Sequence, residues 1–260
     1  MDPQALLQNY FLERILVRIS QSSYKENIIL KGGLLIASLI GSSNRSTMDL
    51  DATIKNYPMT KEDIEVLVKE IIVIDVGDKI EFELIYIKSI REEDEYNGFR
   101  VKIDAKFERI LQHLKLDFST GDRITPGDIN YSYKSMFEEK TINIQAYNIE
   151  TIIAEKYETI LSRGEANTRM RDFYDLYILK VLRSGDIDFE ILAPAIRNTA
   201  EMRNTTELLL FEDEIIQRVK ESNELKKLWI VYSENFSYAK QIGFKDTIDA
   251  IQWIHNNTKL

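Results

Sequence analysis

Alternating apolar and polar residues predict β-strands in the first half of the chain. In the predicted strand that carries Asp49 and Asp51, Leu50 and Ala52 fall on the opposite face. An acidic turn is predicted at Glu92–Glu95. The predicted strands cover residues 28–30, 47–55, 79–88, 99–107 and 114–118, and residues 4–20, 34–40 and 60–70 have the apolar spacing of helices.

From residue 149 onward the pattern changes to a succession of helices without a convincing strand. These helices are predicted at residues 149–163, 168–183, 187–203, 205–221, 223–241 and 245–257. A strand-rich half followed by a helical half predicts an α/β (α+β) protein. We therefore expect a mixed sheet domain over residues 1–148 and an all-α helical bundle over residues 149–260.

Composition and charge restrict the function. The 260 residues are 44% hydrophobic and include no cysteine, which excludes disulfides, thiolate metal sites and a thiol nucleophile. The net charge of −9 argues against a diffuse nucleic-acid footprint, so a polyanion would need a local basic patch. The first residues lack the pattern of a signal peptide, and the apolar stretch Ile28–Ile40 is too short to span a bilayer. We expect a cytoplasmic protein without a membrane partner.

One stretch combines two features of a metal-nucleotide site. Gly32 and Gly33 follow a short apolar strand and precede a helix, where glycine lets a phosphate approach backbone N–H groups closely. Asp49 and Asp51 lie side by side on the polar face of the next strand. Adjacent carboxylates repel each other, and Mg²⁺ prefers hard oxygen ligands of this kind. The stretch therefore predicts a turn for phosphates next to carboxylates for a metal.

A third carboxylate could come from either of two later strands. Asp104 and Asp117 both fall on polar strand faces, so periodicity alone does not choose between them. Asp104 lies among basic residues, as in a charge-balanced exposed face. Asp117 leads into the loop that contains Gly121 and Asp122, and a strand end is a more usual place for a site.

The helical half contains a second polar cluster. Lys156 interrupts an apolar helix stripe, which indicates either a snorkelling lysine or a lysine that points toward an anion. Asp172 and Asp175 lie one turn apart on the next predicted helix. They could pair with nearby arginines and fasten two helices together, or they could orient site residues. The nearby arginines are Arg163, Arg169 and Arg171.

Four short motifs together resemble the AbiEii/AbiGii-type nucleotidyltransferase toxins of the DNA polymerase β-like superfamily. The first runs from Lys31-Gly32-Gly33 to Arg45-x-Thr47-x-Asp49-Leu50-Asp51, and the second is Leu114-Lys115-Leu116-Asp117-Phe118-Ser119-x-Gly121-Asp122. The third is Glu155-Lys156 followed by Arg163-Gly164, and the fourth is Arg171-Asp172-Phe173-Tyr174-Asp175-Leu176. The motifs occur in the family's order, and the resemblance favours Asp117 over Asp104 as the third carboxylate.

The resemblance implies a nucleotidyltransferase that uses Mg²⁺ or Mn²⁺ and a nucleoside triphosphate, for which we expect GTP or CTP. It implies metal ligation by Asp49, Asp51 and Asp117, with Lys156 and Asp172 as further catalytic groups. It implies that the nucleotide is bound by Lys31, Gly32, Gly33, Arg45, Thr47, Lys156 and Arg163.

The resemblance also implies the toxin of a toxin–antitoxin or abortive-infection pair, with a neighbouring antitoxin that acts without stable contact. An RNA acceptor such as a tRNA 3′ end is expected, and Arg163, Arg169 and Arg171 could form its basic patch. The chain departs from the family at Leu34, where a small hydroxyl residue is usual. Two alternatives stay open: nucleotidyl transfer to a small molecule or protein, and a GTP- or NTP-binding regulator without turnover.

Overall fold

A computed structural model describes residues 3–91 and 97–259 and divides them into two compact units. The first unit comprises the described residues up to Asp122 together with Asp128–Tyr147. The second comprises Arg123–Gly127 and the described residues from Asn148 onward. The domain division 1–148 and 149–260 remains our proposal, and the structural units below are those of the model.

The first unit is built on a mixed seven-stranded sheet in the order β3-β4-β5-β2-β1-β7-β6. The pairs β2–β5 and β1–β7 are parallel, and the other neighbours are antiparallel. The strands are β1 Ile28–Lys31, β2 Asp49–Ile54, β3 Glu81–Arg91, β4 Asn97–Phe107, β5 Ile110–Ser119, β6 Ile129–Lys134 and β7 Thr141–Ala146. Because β2 lies between β1 and β5, its residues are placed beside both the glycine turn and the second motif.

Helices α1 (Pro3–Gln21), α2 (Gly32–Ile40) and α3 (Lys61–Ile72) belong to the same unit. Their apolar residues form the core together with the inward-facing residues of the strands, such as Leu50, Ala52, Val101 and Leu116. The N-terminus of α3 has the expected capping box, in which the Thr60 hydroxyl accepts a hydrogen bond from the Asp63 N–H at 3.1 Å.

The second unit is helical in all its described residues apart from the connecting segments. Its α-helices are α4 Ile149–Arg163, α5 Met170–Arg183, α6 Phe189–Met202, α7 Glu212–Glu221, α8 Asn223–Asn235 and α9 Phe244–Thr258. The segment Arg123–Gly127 joins this unit through Thr125. The Thr125 carbonyl accepts a hydrogen bond from the Asn148 amide at 2.7 Å, and the Thr125 hydroxyl accepts one from Asn198 at 2.9 Å.

The fold class predicted from the sequence is confirmed, with local corrections. Helix α2 begins at Gly32, so the glycine pair forms its first turn. Strand β5 begins at Ile110 rather than at residue 114, and strands β6 and β7 were not individually predicted. The predicted turn at Glu92–Glu95 lies outside the described residues.

Two helices predicted near the C-terminus are shorter than expected. Thr206–Phe211 forms a 3₁₀ helix ahead of α7, and α8 ends at Asn235 before a second short 3₁₀ helix at Ser237–Ala239. The tighter turns interrupt the continuous α-helical pattern at these points. Among the described helices, none combines the length and apolarity needed to cross a membrane.

Candidate active site on strands β1, β2 and β5

Strand register brings the predicted carboxylates onto one face of the sheet. Asp51 on β2 is the direct partner of Asp117 on β5 and of Lys31 on β1. Asp49, two residues before Asp51, is the partner of Lys115. Directly opposite residues on neighbouring strands share a face. Asp49, Asp51 and Asp117 are therefore neighbours, which the sequence pattern alone could not establish for Asp117.

The glycine turn is shaped to accept the Asp51 side chain. Gly32 has φ +68°, and a Cβ atom there would lie 2.1 Å from the Asp51 Oδ2 atom. A Cβ atom at Gly33 would lie 2.7 Å from the Thr47 Oγ1 atom. The Gly33 N–H also donates a hydrogen bond to the Asp51 carboxylate. Both glycines are thus required because side chains of the first motif pack directly onto the turn.

The charge of Asp51 is strongly influenced by its surroundings. Burial raises the pKa of this carboxyl, and the negative charges of Asp117 and Asp49 act in the same direction. The Lys31 ammonium and the Gly33 N–H act in the opposite direction without cancelling the rise. A cation placed among these carboxylates would relieve their repulsion.

The other two carboxylates are held by basic side chains. Asp49 forms an ion pair with Lys115 at 2.7 Å. Asp117 binds the Arg100 guanidinium through both of its oxygens, at 2.9 and 2.7 Å. Within residues 3–91 and 97–259, no group of three acidic or histidine side chains is arranged as a ready metal-ligand set. The donor chemistry fits Mg²⁺, and ligation would require Asp49 and Asp117 to exchange these partners.

The sequence reasoning missed Asp122 as a site residue. Its carboxylate accepts hydrogen bonds from the Lys31 ammonium at 2.6 Å and from the hydroxyls of Ser119, at 2.8 Å, and Thr53. Burial acts to raise its pKa, but the Lys31 charge and these hydrogen bonds lower the pKa of Asp122 to about 2. Asp122 therefore stays ionised and fixes Lys31 beside the glycine turn. The Gly121-Asp122 pair that ends the second motif was the signal that could have identified it.

The remaining residues of the first motif are packed inside the same unit. Arg45 is 2% exposed and Thr47 is 4% exposed, and both lie against the position where Gly33 would carry a Cβ atom. Arg45 Nη1 donates a hydrogen bond to the Ser46 carbonyl. Leu34 is 1% exposed, so its side chain serves the core. The structure thus places Arg45 and Thr47 at the glycine turn.

In the helical unit, Lys156 on α4 joins both acidic residues of the fourth motif. Its Nζ atom lies 2.7 Å from Asp172 Oδ1 and 2.8 Å from Asp175 Oδ2. Burial acts to lower the lysine pKa, but the two carboxylates raise the pKa of Lys156 above its ordinary value. The alternative in which Asp172 and Asp175 fasten helices by pairing with the nearby arginines is wrong in its partner, since Lys156 connects α4 to α5.

Arg163, at the end of α4, lies apart from the ion pair of Lys156. It lines a cavity of about 240 Å³ together with Arg218 of α7 and the apolar side chains of Leu161 and Ile215. Arg171 lies over the Phe236 ring at 5.7 Å from the ring centroid. The predicted roles of Lys156, Asp172 and Arg163 stay predictions.

Comparison with known proteins gives the same family as the motifs. The model of the family described as "Nucleotidyl transferase AbiEii toxin, Type IV TA system" matches residues 14–253. The chain belongs to the AbiEii nucleotidyltransferase toxin family. It is accordingly a nucleotidyltransferase of a type IV toxin–antitoxin system, with a nucleoside triphosphate substrate and an antitoxin partner. No curated protein matches the chain.

Two solved structures resemble this AbiEii-family protein over its whole length. One is the crystal structure of JHP933 from Helicobacter pylori, with a TM-score of 0.57 and 18% identity, covering 100% of this chain and 95% of that one. The other is a candidate nucleotidyltransferase from H. pylori, with a TM-score of 0.55, 18% identity and coverage of 100% and 98%. At this identity the likeness concerns the fold.

Proposed function

We propose that this AbiEii-family protein is a Mg²⁺-dependent enzyme that transfers a nucleoside monophosphate from a nucleoside triphosphate to an RNA acceptor such as a tRNA 3′ end. The observation that carries the proposal is the register of β2 and β5, in which Asp51 lies opposite Asp117 with Asp49 two residues away. The glycine turn packs against the same carboxylates. A phosphate turn beside three carboxylates is the combination that nucleotidyl transfer requires.

In this proposal Asp49, Asp51 and Asp117 hold the metal. When bound, Mg²⁺ bridges oxygens of the triphosphate and reduces the repulsion that an attacking oxygen meets. The amides of the glycine turn bind phosphate oxygens, while Lys31 and Arg45 neutralise charge that develops during transfer. Lys31 is already held in place by Asp122 at 2.6 Å.

The transfer step forms a bond between the acceptor hydroxyl oxygen and the α-phosphorus, and it breaks the bond from the α-phosphorus to the leaving pyrophosphate. Asp117 helps to remove the hydroxyl proton. Because Arg100 now occupies both Asp117 oxygens, it must release at least one of them for this role. Lys156 and Asp172 are retained as a proposed positioning pair, and Arg163 as a proposed phosphate contact.

The experiment is transfer of label from each of the four α-³²P nucleoside triphosphates into total RNA, resolved by size. Wild-type protein is compared with Asp49→Asn, whose fold is checked by circular dichroism. We expect labelled RNA of tRNA size with wild type and none with the variant. Label in small molecules or proteins instead would favour those acceptors, and tight nucleotide binding without transfer would favour a regulator. Undiminished transfer by Asp49→Asn would contradict the carboxylate assignment.

A further inference from the structure

The polar face of strands β3, β4 and β5 carries a group of basic side chains beside the carboxylates, which we name the basic platform. The register places its members in two adjacent rows that end at the site. One row runs from Lys88 through Arg100 to Asp117, and the other runs from Tyr86 through Lys102 and Lys115 to Asp49. The basic platform comprises Tyr86, Lys88, Arg100, Lys102 and Lys115.

Charge is segregated along this face. The row next to the basic platform contains Glu83, Asp104 and His113, in that order across the strands. These residues are balanced locally, since His113 pairs with Asp104 at 2.6 Å and Lys106 pairs with Glu83 at 2.5 Å. The basic charge is thus concentrated in the two rows that reach Asp117 and Asp49.

The basic platform contains an arrangement that a folded protein would otherwise avoid. Lys102 lies directly opposite Lys115, and like charges in that position destabilise a sheet. Within the described residues, neither Lys88 nor Lys102 has a carboxylate in ion-pair distance. Lys115 and Arg100 use their charge on Asp49 and Asp117. An anionic ligand would compensate this excess charge.

An exposed aromatic side chain completes the surface. Tyr86 is 46% exposed and is the direct partner of Lys102, next to an irregularity in the pairing of β3 with β4. Aromatic faces bind unstacked bases, and basic grooves follow the phosphates of single strands. The rows extend over three strand spacings from β3 to β2, about 14 Å. This length suits several linked phosphates rather than a single nucleotide, whose triphosphate belongs at the glycine turn on β1.

We propose that the basic platform binds the single-stranded end of the acceptor RNA, with Lys88, Arg100 and Lys102 on backbone phosphates and Tyr86 against an unstacked base. This inference rests on the proposed function and specifies how the acceptor reaches the carboxylates. It also locates the local basic patch that a protein of net charge −9 needs in order to bind a polyanion.

The first test measures binding of a short single-stranded RNA by the full chain, in EDTA and without nucleotide, over a range of salt concentrations. The double variant K88Q/K102Q is compared with K25Q/K61Q, which removes the same charge at two exposed lysines outside the basic platform. Each phosphate contact on a single strand contributes about 0.7 to the slope of log affinity against log salt. We expect the slope of K88Q/K102Q to be shallower by about 1.4, with the K25Q/K61Q slope unchanged. Equal slopes for the two variants, or no salt-dependent binding by wild type, would overturn the proposal.

The second test separates stacking from charge. We expect Tyr86→Phe to bind the RNA as wild type does and Tyr86→Leu to bind about fivefold more weakly or worse. Equal binding by both variants would remove Tyr86 from the basic platform. Nucleotide transfer is assayed in parallel. Platform-dependent RNA binding without transfer would refute the proposed function alone, and transfer to RNA with equal slopes would refute the basic platform alone.

Discussion

Asp51 and Asp117 lie directly opposite each other on the parallel strands β2 and β5. This relationship turns two motifs, far apart in the sequence, into one group of carboxylates. It also explains why Asp51 has a raised pKa, since burial and the nearby charges of Asp117 and Asp49 all disfavour its ionised form. The account of nucleotidyl transfer depends on this pairing.

We expect Gly32→Ala to remove nucleotide binding and to lower the free energy of unfolding by about 2 kcal/mol or more, because a Cβ atom would strike the Asp51 carboxylate. Gly77→Ala is the matched control. Gly77 also has a positive φ, +74°, but nothing lies within 4 Å of its added Cβ atom. Urea unfolding and nucleotide titration of both variants check this. Similar losses of nucleotide binding in the two would show that backbone strain, rather than the contact with Asp51, is responsible.

We expect Arg100→Gln to bind Mn²⁺ more tightly than wild type in the absence of RNA, because Asp117 would lose the cation that now occupies both of its oxygens. Lys106→Gln is the control, since Lys106 lies on the same strand and pairs with Glu83 instead. Calorimetric titration with Mn²⁺ measures the change. Unchanged affinity in Arg100→Gln would mean that Asp117 does not exchange Arg100 for a metal.

Stability at low pH should depend on Asp78, which lies between Arg14 and Arg18 of α1. Burial acts to raise its pKa, but the hydrogen bonds and charge of Arg18 lower the pKa of Asp78 to about 2. The unfolded carboxyl has a pKa of about 3.9. The stabilisation is therefore present above pH 4 and is lost as the pH falls toward 2.

We accordingly expect Asp78→Asn to lower the free energy of unfolding by about 2 kcal/mol at pH 7, and the difference from wild type to shrink toward pH 2. Asp75→Asn, at an exposed carboxyl nearby, should change little at either pH. Urea unfolding at a series of pH values measures both. A difference that stays constant with pH would contradict the assigned ion pair.

In the helical unit, Lys156→Met should destabilise far more than Asp172→Asn. Without Lys156, the fully buried Asp175 keeps a negative charge with no compensating cation, which costs about 3–5 kcal/mol. Asp172→Asn leaves the pair of Lys156 with Asp175 in place at 2.8 Å. Denaturant unfolding ranks the two variants. If Asp172→Asn keeps its stability and loses transfer, its role is in the reaction; equal destabilisation of both would contradict the predicted ranking.

The sequence predicted the elements whose pattern is local. The alternation of β4 and the capping box at Thr60 depend on neighbouring residues, and both are found in the structure. The single helix predicted at 205–221 was wrong, since residues 206–211 form a 3₁₀ helix. Periodicity continues through such a change in winding and therefore cannot reveal it.

The candidate site depended on relationships that no local pattern contains. Asp104 and Asp117 both point away from the core, so alternation could not rank them. The register does so, because it pairs Asp117 with Asp51 and Asp104 with His113. Asp122 was missed for the same reason, since its partners Lys31, Thr53 and Ser119 come from three different strands.

The most direct test of the account compares Asp117→Asn with Asp104→Asn in the transfer of labelled nucleotide to RNA. Both variants remove one carboxylate from the polar face of neighbouring strands, and unfolding experiments establish that both are folded. We predict that Asp117→Asn loses transfer by at least a hundredfold, as expected for a group that acts in the transition state, and that Asp104→Asn retains it. Transfer that survives in Asp117→Asn, or is lost equally in both, would contradict the pairing of Asp51 with Asp117 as the centre of the reaction.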